Sequence, residues 1–535
     1  MSAGEAPTTQ QRDDALPSQA AMGGLARGSM ANLFGAFAMA ASTLLVTILV
    51  THALSRRSAG IFFSTTSLFM LATTIGQLGT NTGAIYFIVR ARAEGRQERI
   101  HAYVRTALRP VVVTAVLMGV ALFVFAHPLS EVINPGYADQ SAEYLRILAL
   151  FIPMAGIENV TLAATRGLGP MRPNVVVEQL GRPSLQLALI ALALTVHNHS
   201  VLALGWAFCY LPAAVAAVWW WRRLSRRLPP SGHQEGLARE FWRFTAPRSL
   251  ASVAQIAMQR LDIVLVGALS GPVAAAVYTA STRFLVVGQM GNRAISLAVQ
   301  PRLGQALTMG DRVAAKHYYQ VSTAWLMLVT WPLYLMFVVY GEQLLAVFGK
   351  GYDAGSHVLL LLALIMLLAT ACGMVTMVLN MGGKTSWNLY NVLLSMGVQF
   401  TIDIILIPRV GIIGAAIGWG AAIATGNLVP LTQVAMSIKV HPFGRSTLTA
   451  GLVALLCFGL VPGGVRLALG LSWLSIVVAS LVGGAIYLVL LWVLREPLEL
   501  NAFRDMRRRR RGTGAAAGAG AKTEPEPRPD PDLEP

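Results

Sequence analysis

Arg248, Ser252, Gln255, Gln259 and Asp262 follow one another at steps of four, three, four and three residues inside an apolar stretch. On a helix this spacing draws one polar stripe down a single face. Arg260 stands beside the stripe, and the next apolar stretch carries Thr282, Arg283, Gln289 and Arg293. A charged side chain at the centre of a membrane helix costs about 2.5–3.5 kcal/mol on insertion scales, so such groups face the protein interior or water. The chemistry on offer is recognition rather than bond breaking. Arginine's planar fork suits bidentate contact with phosphate, and Gln and Thr groups suit sugar hydroxyls. With Arg248, Arg260, Arg283 and Arg293 set against Asp262, the predicted ligand is anionic and polar, with pyrophosphate a natural candidate. Structural readings stay open beside this one. Arg248 and Arg293 lie near helix ends, where they could snorkel to headgroups. Arg260 with Asp262 could form a buried network, and Glu158, Glu178 and Arg182 read equally as packing pairs or as site residues.

The elements that must position these groups are membrane helices. Of 535 residues, 55% are hydrophobic and 13% charged, with a mean hydropathy of +0.58; a soluble domain needs more charge to cover its surface. A helix crosses about 30 Å of hydrocarbon with about 20 apolar residues. Fourteen segments qualify: 31–54, 61–87, 110–127, 144–166, 175–196, 200–221, 246–269, 273–296, 321–345, 357–381, 386–407, 411–437, 447–468 and 472–494. The net charge of +17 is carried mostly between these segments and in the tail, which argues for topology and against a nucleic-acid partner. Cys209, Cys372 and Cys457 lie in apolar runs without metal-ligand spacing and read as small buried hydrophobes. No Walker motif, metal-ligand cluster or nucleophile elbow occurs, so no cofactor, metal or catalytic residue is predicted and the chain is not read as an enzyme. The first 28 residues lack a cleavage signature, leaving the first helix as the insertion signal.

Loop charge sets the expected orientation. Arg90, Arg92, Arg96, Arg99, Arg105 and Arg109 follow the second segment; Arg222, Arg223, Arg226, Arg227, Arg239 and Arg243 follow the sixth. The alternate loops are nearly bare, Arg56 and Arg57 being the main exception. Both termini are therefore expected in the cytoplasm. The expected organisation is an unstructured N-terminus at 1–28, a six-helix lobe at 29–222, a cytoplasmic linker at 223–245, a second six-helix lobe at 246–438, two extra membrane helices at 439–495 and a tail at 496–535. The tail carries Arg507 to Arg511 before an Ala/Gly run and a Pro/Glu/Asp-rich end. It is expected to be disordered, its arginines resting on anionic lipid headgroups.

The two halves repeat at a nearly fixed offset. Gly136-Tyr137 recurs as Gly351-Tyr352 after 215 positions, Phe62 matches Tyr278 at 216, and Gly169 and Asn174 match Gly383 and Asn388 at 214. Six helices separate the equivalents, an even number, so the copies run parallel about an axis along the membrane normal. At the same offset Gln289 maps onto Thr73, Arg293 onto Gln77 and Arg248 onto Asn32. The fold class is all-α: a polytopic bundle of about fourteen helices, two parallel six-helix repeats plus a C-terminal pair. The candidate substrate-binding residues are Asn32, Gln77, Arg248, Gln255, Gln259, Arg260, Asp262, Arg283, Gln289 and Arg293.

Leu406-Ile407-Pro408-Arg409-Val410-Gly411-Ile412-Ile413-Gly414-Ala415-Ala416 joins the eleventh and twelfth segments. Physically, Pro408 is expected to end one helix, and the small residues to Gly418 let the next pack closely. This junction resembles that of the polysaccharide (O-antigen/oligosaccharide) flippases in the multidrug/oligosaccharidyl-lipid/polysaccharide exporter superfamily. Asp262 and the Ala276-Val277-Tyr278 opening of the eighth segment resemble them too, over about residues 30–495. The resemblance implies alternating access between two six-helix lobes, carrying an undecaprenyl-pyrophosphate-linked oligosaccharide to the outer leaflet of the plasma membrane for polysaccharide biosynthesis. A lipid-linked glycan would then be the substrate, with polysaccharide polymerase and glycosyltransferases as partners. The main alternative is a lipid II flippase. A drug or cation antiporter usually has twelve helices and acidic cavity residues. A membrane glycan polymerase or ligase would need a catalytic external loop, and the longest one here, 128–143, holds only Glu131, Asp139 and Glu143 as acids.

Overall fold

In lipid every backbone amide must find its partner within its own segment, so apolar runs of this length can only be helices. The computed structural model describes residues 19–196, 198–230 and 236–499, without the side chains of 19–33, 199, 287, 293, 294, 297, 298 and 385. The described elements are all helical. In order they are α1 Gln19–Ala53, α2 Arg56–Ala93, α3 Gln97–Val124, α4 Ala138–Gly167, α5 Asn174–Thr195, α6 Ser200–Ser225 and α7 Leu237–Ser270. After α8 Pro272–Thr308 come α9 Arg312–Phe348, α10 Asp353–Met381, α11 Ser386–Val410, α12 Ile412–Ser437, α13 Arg445–Leu469 and α14 Trp473–Val493. Thirteen are long and apolar enough to cross a membrane. The exception is α8, 37 residues long but diluted by Arg283, Gln289, Arg293 and Arg302; it packs between α2 and α9.

Several boundaries differ from the sequence expectation, each for a local reason. α1 begins at Gln19, inside the stretch expected to be unstructured, because Gln19 to Met22 and Leu25 to Arg27 are good helix formers that outweigh Gly23, Gly24 and Gly28. α3 begins well before 110 and runs through Pro110. Ile100, Tyr103, Val104 and Ala107 are buried on one face of its first turns, and that packing extends the helix into the arginine-rich loop. The 223–245 linker is helical from Leu237, whose side chain and that of Phe241 are buried. α2 breaks at Leu78 and Gly79, which have φ of 50° and 66°. A Cβ on Gly79 would lie 2.6 Å from the Ser249 backbone. Pro408 does not end α11; the helix continues to Val410 and stops at Gly411, φ 60°. The close approach of α12 is as expected: a Cβ on Gly414 would sit 2.6 Å from the Leu406 carbonyl carbon. The repeat has a backbone counterpart, since Gly136 and Gly351 take φ of 80° and 83°, and Gly169 and Gly383 take 108° and 80°.

Interlocked rings hold the first-half helices together. Phe69, fully buried, meets Trp206 edge-on at 5.3 Å and Tyr210 at 5.4 Å. Phe62 meets Tyr144 and Trp206 edge-on. This cluster fixes Tyr210, which matters for the site below. The C-terminal pair docks on α9 through Tyr340, whose hydroxyl lies 2.7 Å from that of Ser475, and through Tyr487, which donates to the Leu328 carbonyl at 2.6 Å. Its outer faces are bare apolar surface: Leu467 is 90% and Trp492 71% exposed. An exterior of this kind fits a lipid solvent.

At the Arg56 end of α2 the two halves touch backbone to backbone. A Cβ on Gly60 would lie 1.7 Å from the Pro272 carbonyl oxygen, and Arg56 donates to the Gly351 carbonyl at 3.2 Å. Gly60→Leu is therefore expected to wedge α2 from α8 and to expose a cysteine placed at the fully buried Ser64. Reaction with an impermeant maleimide measures this; unchanged protection would show that the contact does not close that end.

Candidate functional site

The structure divides the predicted residues into separate groups. The first gathers around Asp262, which is 2% exposed. The tight turn at Gly271, φ 86°, folds α8 back along α7 and brings Tyr278 to Asp262, to which its hydroxyl donates at 2.8 Å. The Ile263 amide also donates to Asp262, at 2.7 Å. Arg260 and Arg283 lie within electrostatic range of Asp262 and of each other, and the Arg283 Nε is buried with no hydrogen-bond partner among the described residues. Arg260 also feels Tyr210 of α6, and over the Tyr210 ring stands Arg182 of α5, at 4.8 Å. Three arginines from α5, α7 and α8 are thus arrayed about one tyrosine and one carboxylate. Arg182 was left undecided by the sequence, because nothing local shows that α5 delivers it to Tyr210.

The second group is neutral. Gln255 and Gln259 of α7, Gln289 of α8 and Asn388, Asn391 and Trp419 of α11 and α12 line a cavity of about 360 Å³. No charged side chain lines it among the described residues. The Asn391 and Gln433 amides exchange two hydrogen bonds, 2.7 and 2.9 Å, which stiffen its wall. Amides around a tryptophan ring offer donors and acceptors for hydroxyls and a flat apolar face for a sugar ring.

The remaining predicted residues lie elsewhere. Arg248 is exposed, donates to the Phe244 carbonyl at 2.8 Å and stacks on that ring at 3.6 Å; it lines a different pocket from the glutamines. Stripe spacing alone had placed it with them, but the helix presents its first turns to a different neighbour, α2. Gln77 caps the break in α2 and is half-buried. The side chains of Asn32 and Arg293 lie outside the described residues.

One residue went unnoticed in the sequence. Asp403 of α11 is fully buried, with the Gln399 side chain one turn earlier as its polar neighbour and no cationic partner among the described residues. It lies within electrostatic range of Asp262. Its space comes from Gly418, where a Cβ would sit 1.9 Å from Asp403 Oδ1. An acid in the middle of an apolar segment was the available signal.

Arg182 also pairs with Glu158, Nε to Oε1 at 3.5 Å, with the Glu158 side chain 4% exposed. Removing one partner of a buried pair leaves an uncompensated charge, costing about 3–5 kcal/mol. Glu158→Ala is accordingly expected to lower the melting temperature in detergent. Unchanged melting with lost transport would instead assign Arg182 to the substrate.

The sequence profile of the polysaccharide biosynthesis protein family matches residues 54–354, more than half of the chain. The chain belongs to that family. Its match spans α2 to α9 and so includes Asp262, Tyr278 and the three arginines. A comparison with curated protein sequences finds no match. Among solved structures, this family member resembles the lipid II flippase MurJ in an inward closed conformation, with a TM-score of 0.69 and 13% identity over 88% of this chain and 99% of that one. It also resembles a multidrug resistance MATE family transporter of the MOP superfamily in an inward-facing conformation, with a TM-score of 0.61 and 15% identity over 76% and 98%. The MATE multidrug transporter DinF-BH gives 0.59 and 17% over 77% and 95%. At these identities the likeness is one of fold. The family member is a multi-pass membrane protein with the architecture of these transporters.

Proposed function

We propose that this chain is a flippase, not an enzyme, that moves an undecaprenyl-pyrophosphate-linked oligosaccharide from the inner to the outer leaflet of the plasma membrane by alternating access. The observation that carries the reading is the pairing of a neutral, amide-lined cavity of sugar-binding character with arginines of α5, α7 and α8 set about Tyr210 and Asp262. The proposed lobes are 29–222 and 246–438, with both termini in the cytoplasm and the pair at 439–495 outside the moving parts. The arginines of the tail would rest on anionic lipid, and glycosyltransferases and a polymerase would work on either side of the step.

A lipid II flippase is the second reading, and one observation favours it: the MurJ match extends over 88% of this chain, whereas the MATE matches cover 76–78%. The same contrast weighs against a drug antiporter. Proteoliposomes separate these readings. A fluorescent diphosphate-linked oligosaccharide should flip, as read by loss of signal to an external quencher, and Gln255→Leu or Gln289→Leu should slow it about threefold to tenfold, the worth of one or two net hydrogen bonds. Preferential flipping of lipid II would favour the second reading, and movement of neither lipid would overturn the flippase assignment.

A further inference from the structure

The first turns of α7 and the second half of α2 enclose a pocket of about 690 Å³ that none of the foregoing uses. Its walls carry Arg90 of α2 and Arg239, Arg243 and Arg248 of α7, around the rings of Tyr86 and Phe244. The helices come close there because Gly83 has no side chain: a Cβ would lie 2.2 Å from Thr245 Oγ1. The two rings stack at 4.1 Å with planes 16° apart. Arg248 covers the opposite face of Phe244, and its bond to the Phe244 carbonyl fixes the guanidinium while leaving its other N–H groups free.

The charges do not cancel. Glu240 is the one acid among the described lining residues. It is already committed to Arg90, at 2.8 Å, and to the Tyr103 hydroxyl, at 3.4 Å. Arg90 in turn also holds Glu94 at 2.7 Å. Arg239 and Arg243, one turn apart on the same helix, are exposed and enter no hydrogen bond, ion pair or ring contact among the described residues. Like charges at this spacing weaken a helix, and a third guanidinium, held rigid, shares the cavity. Loop arginines that serve topology alone need no such convergence. The donors are forked, they face one hollow, and an aromatic wall adjoins apolar helix surface. That combination matches a phosphate or diphosphate carried on a lipid.

We infer that this pocket binds a lipid-borne phosphate and serves as a loading subsite, at the end of α7 remote from Asp262. As the place where the carried diphosphate docks, it rests on the flippase reading and on the cytoplasmic placement of the α2–α3 and α6–α7 loops. The subsite spans α2 and α7, so it is rebuilt whenever the two halves move. The diphosphate takes over part of the Arg90 contact that Glu240 now makes.

Native mass spectrometry and fluorescence titration of the full-length protein in detergent test this with three probes: undecaprenyl diphosphate, phosphatidylglycerol and inorganic pyrophosphate. Arg239→Gln/Arg243→Gln should weaken binding of at least one of the two lipids by about tenfold or more, since hydrogen bonds to charged groups are lost. Arg239→Lys/Arg243→Lys should restore it only in part. Both residues lack internal partners among the described residues, so the melting temperature should hold. A control pair, Arg226→Gln/Arg227→Gln, removes equal charge from the same loop and should leave binding unchanged. Selective loss of undecaprenyl diphosphate identifies the carried lipid as the ligand, and selective loss of phosphatidylglycerol identifies a membrane lipid. Equal loss in the control pair, or unchanged binding of both lipids, overturns the subsite. Flipping by the wild type is scored separately. If the wild type moves no lipid while the pocket variant still loses lipid binding, the subsite stands and the transport reading falls.

Discussion

Arg260→Gln and Arg283→Gln are each expected to slow flipping of a diphosphate-linked glycan by about a hundredfold, the upper range for hydrogen bonds to a charged group. Stability should hold or rise. Arg283 Nε is buried without a partner among the described residues, so the folded protein loses no bond when it is removed. Arg260 and Arg283 repel one another and both attract Asp262, so neutralising either relieves the repulsion while the other arginine still faces the carboxylate. Lysine should recover part of the rate, because it restores charge without the bidentate fork. Flipping in proteoliposomes and melting in detergent are to be measured on the same preparations. Intact flipping with a fallen melting temperature would make these arginines a structural network around Asp262 instead.

Asp403→Asn is expected to give greater stability and lost coupling. Asp403 is fully buried beside the Gln399 side chain, with Asp262 in electrostatic range and no cationic partner among the described residues. An unpaired buried anion is costly enough that a proton or a small cation must offset it. If the neighbouring carboxylates of α7 and α11 take up such an ion, uptake would favour one arrangement of these helices over another. The Asn isostere carries no charge to offset, so its melting temperature should exceed that of the wild type where the ion is withheld, in low-salt detergent at high pH. It should also abolish any dependence of flipping on a proton or sodium gradient. A variant that melts as before and keeps its gradient dependence would remove Asp403 from the coupling step. Tyr278→Phe should instead lower the melting temperature, because it takes one donor from Asp262 and leaves only the Ile263 amide among the described donors.

The parts of the site legible in the sequence were those governed by one helix. Gln255 and Gln259 share a face by spacing, and the structure places both on the same cavity. Gln289 came from a second helix by the same logic and joined them. Arg248 also belongs to the stripe by spacing, yet α7 is 34 residues long and its neighbours change along its length. Spacing gives direction around a helix axis and says nothing about what stands opposite at each level. Asp403 and Arg182 were visible as charges in apolar runs, but their roles depended on which helix each run meets.

Apolar length, loop charge and the repeated Gly-Tyr and Gly–Asn positions determined by themselves that the chain crosses a membrane many times as two related halves. Those properties are local or additive: transfer of a segment into hydrocarbon depends on its own composition, and a left-handed turn on its own glycine. The junction at Leu406 to Ala416 carried the family resemblance for the same reason. The tertiary structure alone decided that Arg182 meets Tyr210, that Arg260 and Arg283 share Asp262, and that the glutamine cavity and the arginine cluster are distinct. Each of those arrangements depends on how one helix is turned against another, which no single helix specifies. In a membrane the choice among them rests on close packing and on satisfying buried polar groups, because lipid tails are as apolar as the helix surfaces they cover. Gly60 against Pro272, Gly79 against Ser249 and Gly418 against Asp403 are where that packing is made, and none of the three contacts can be read from one helix at a time.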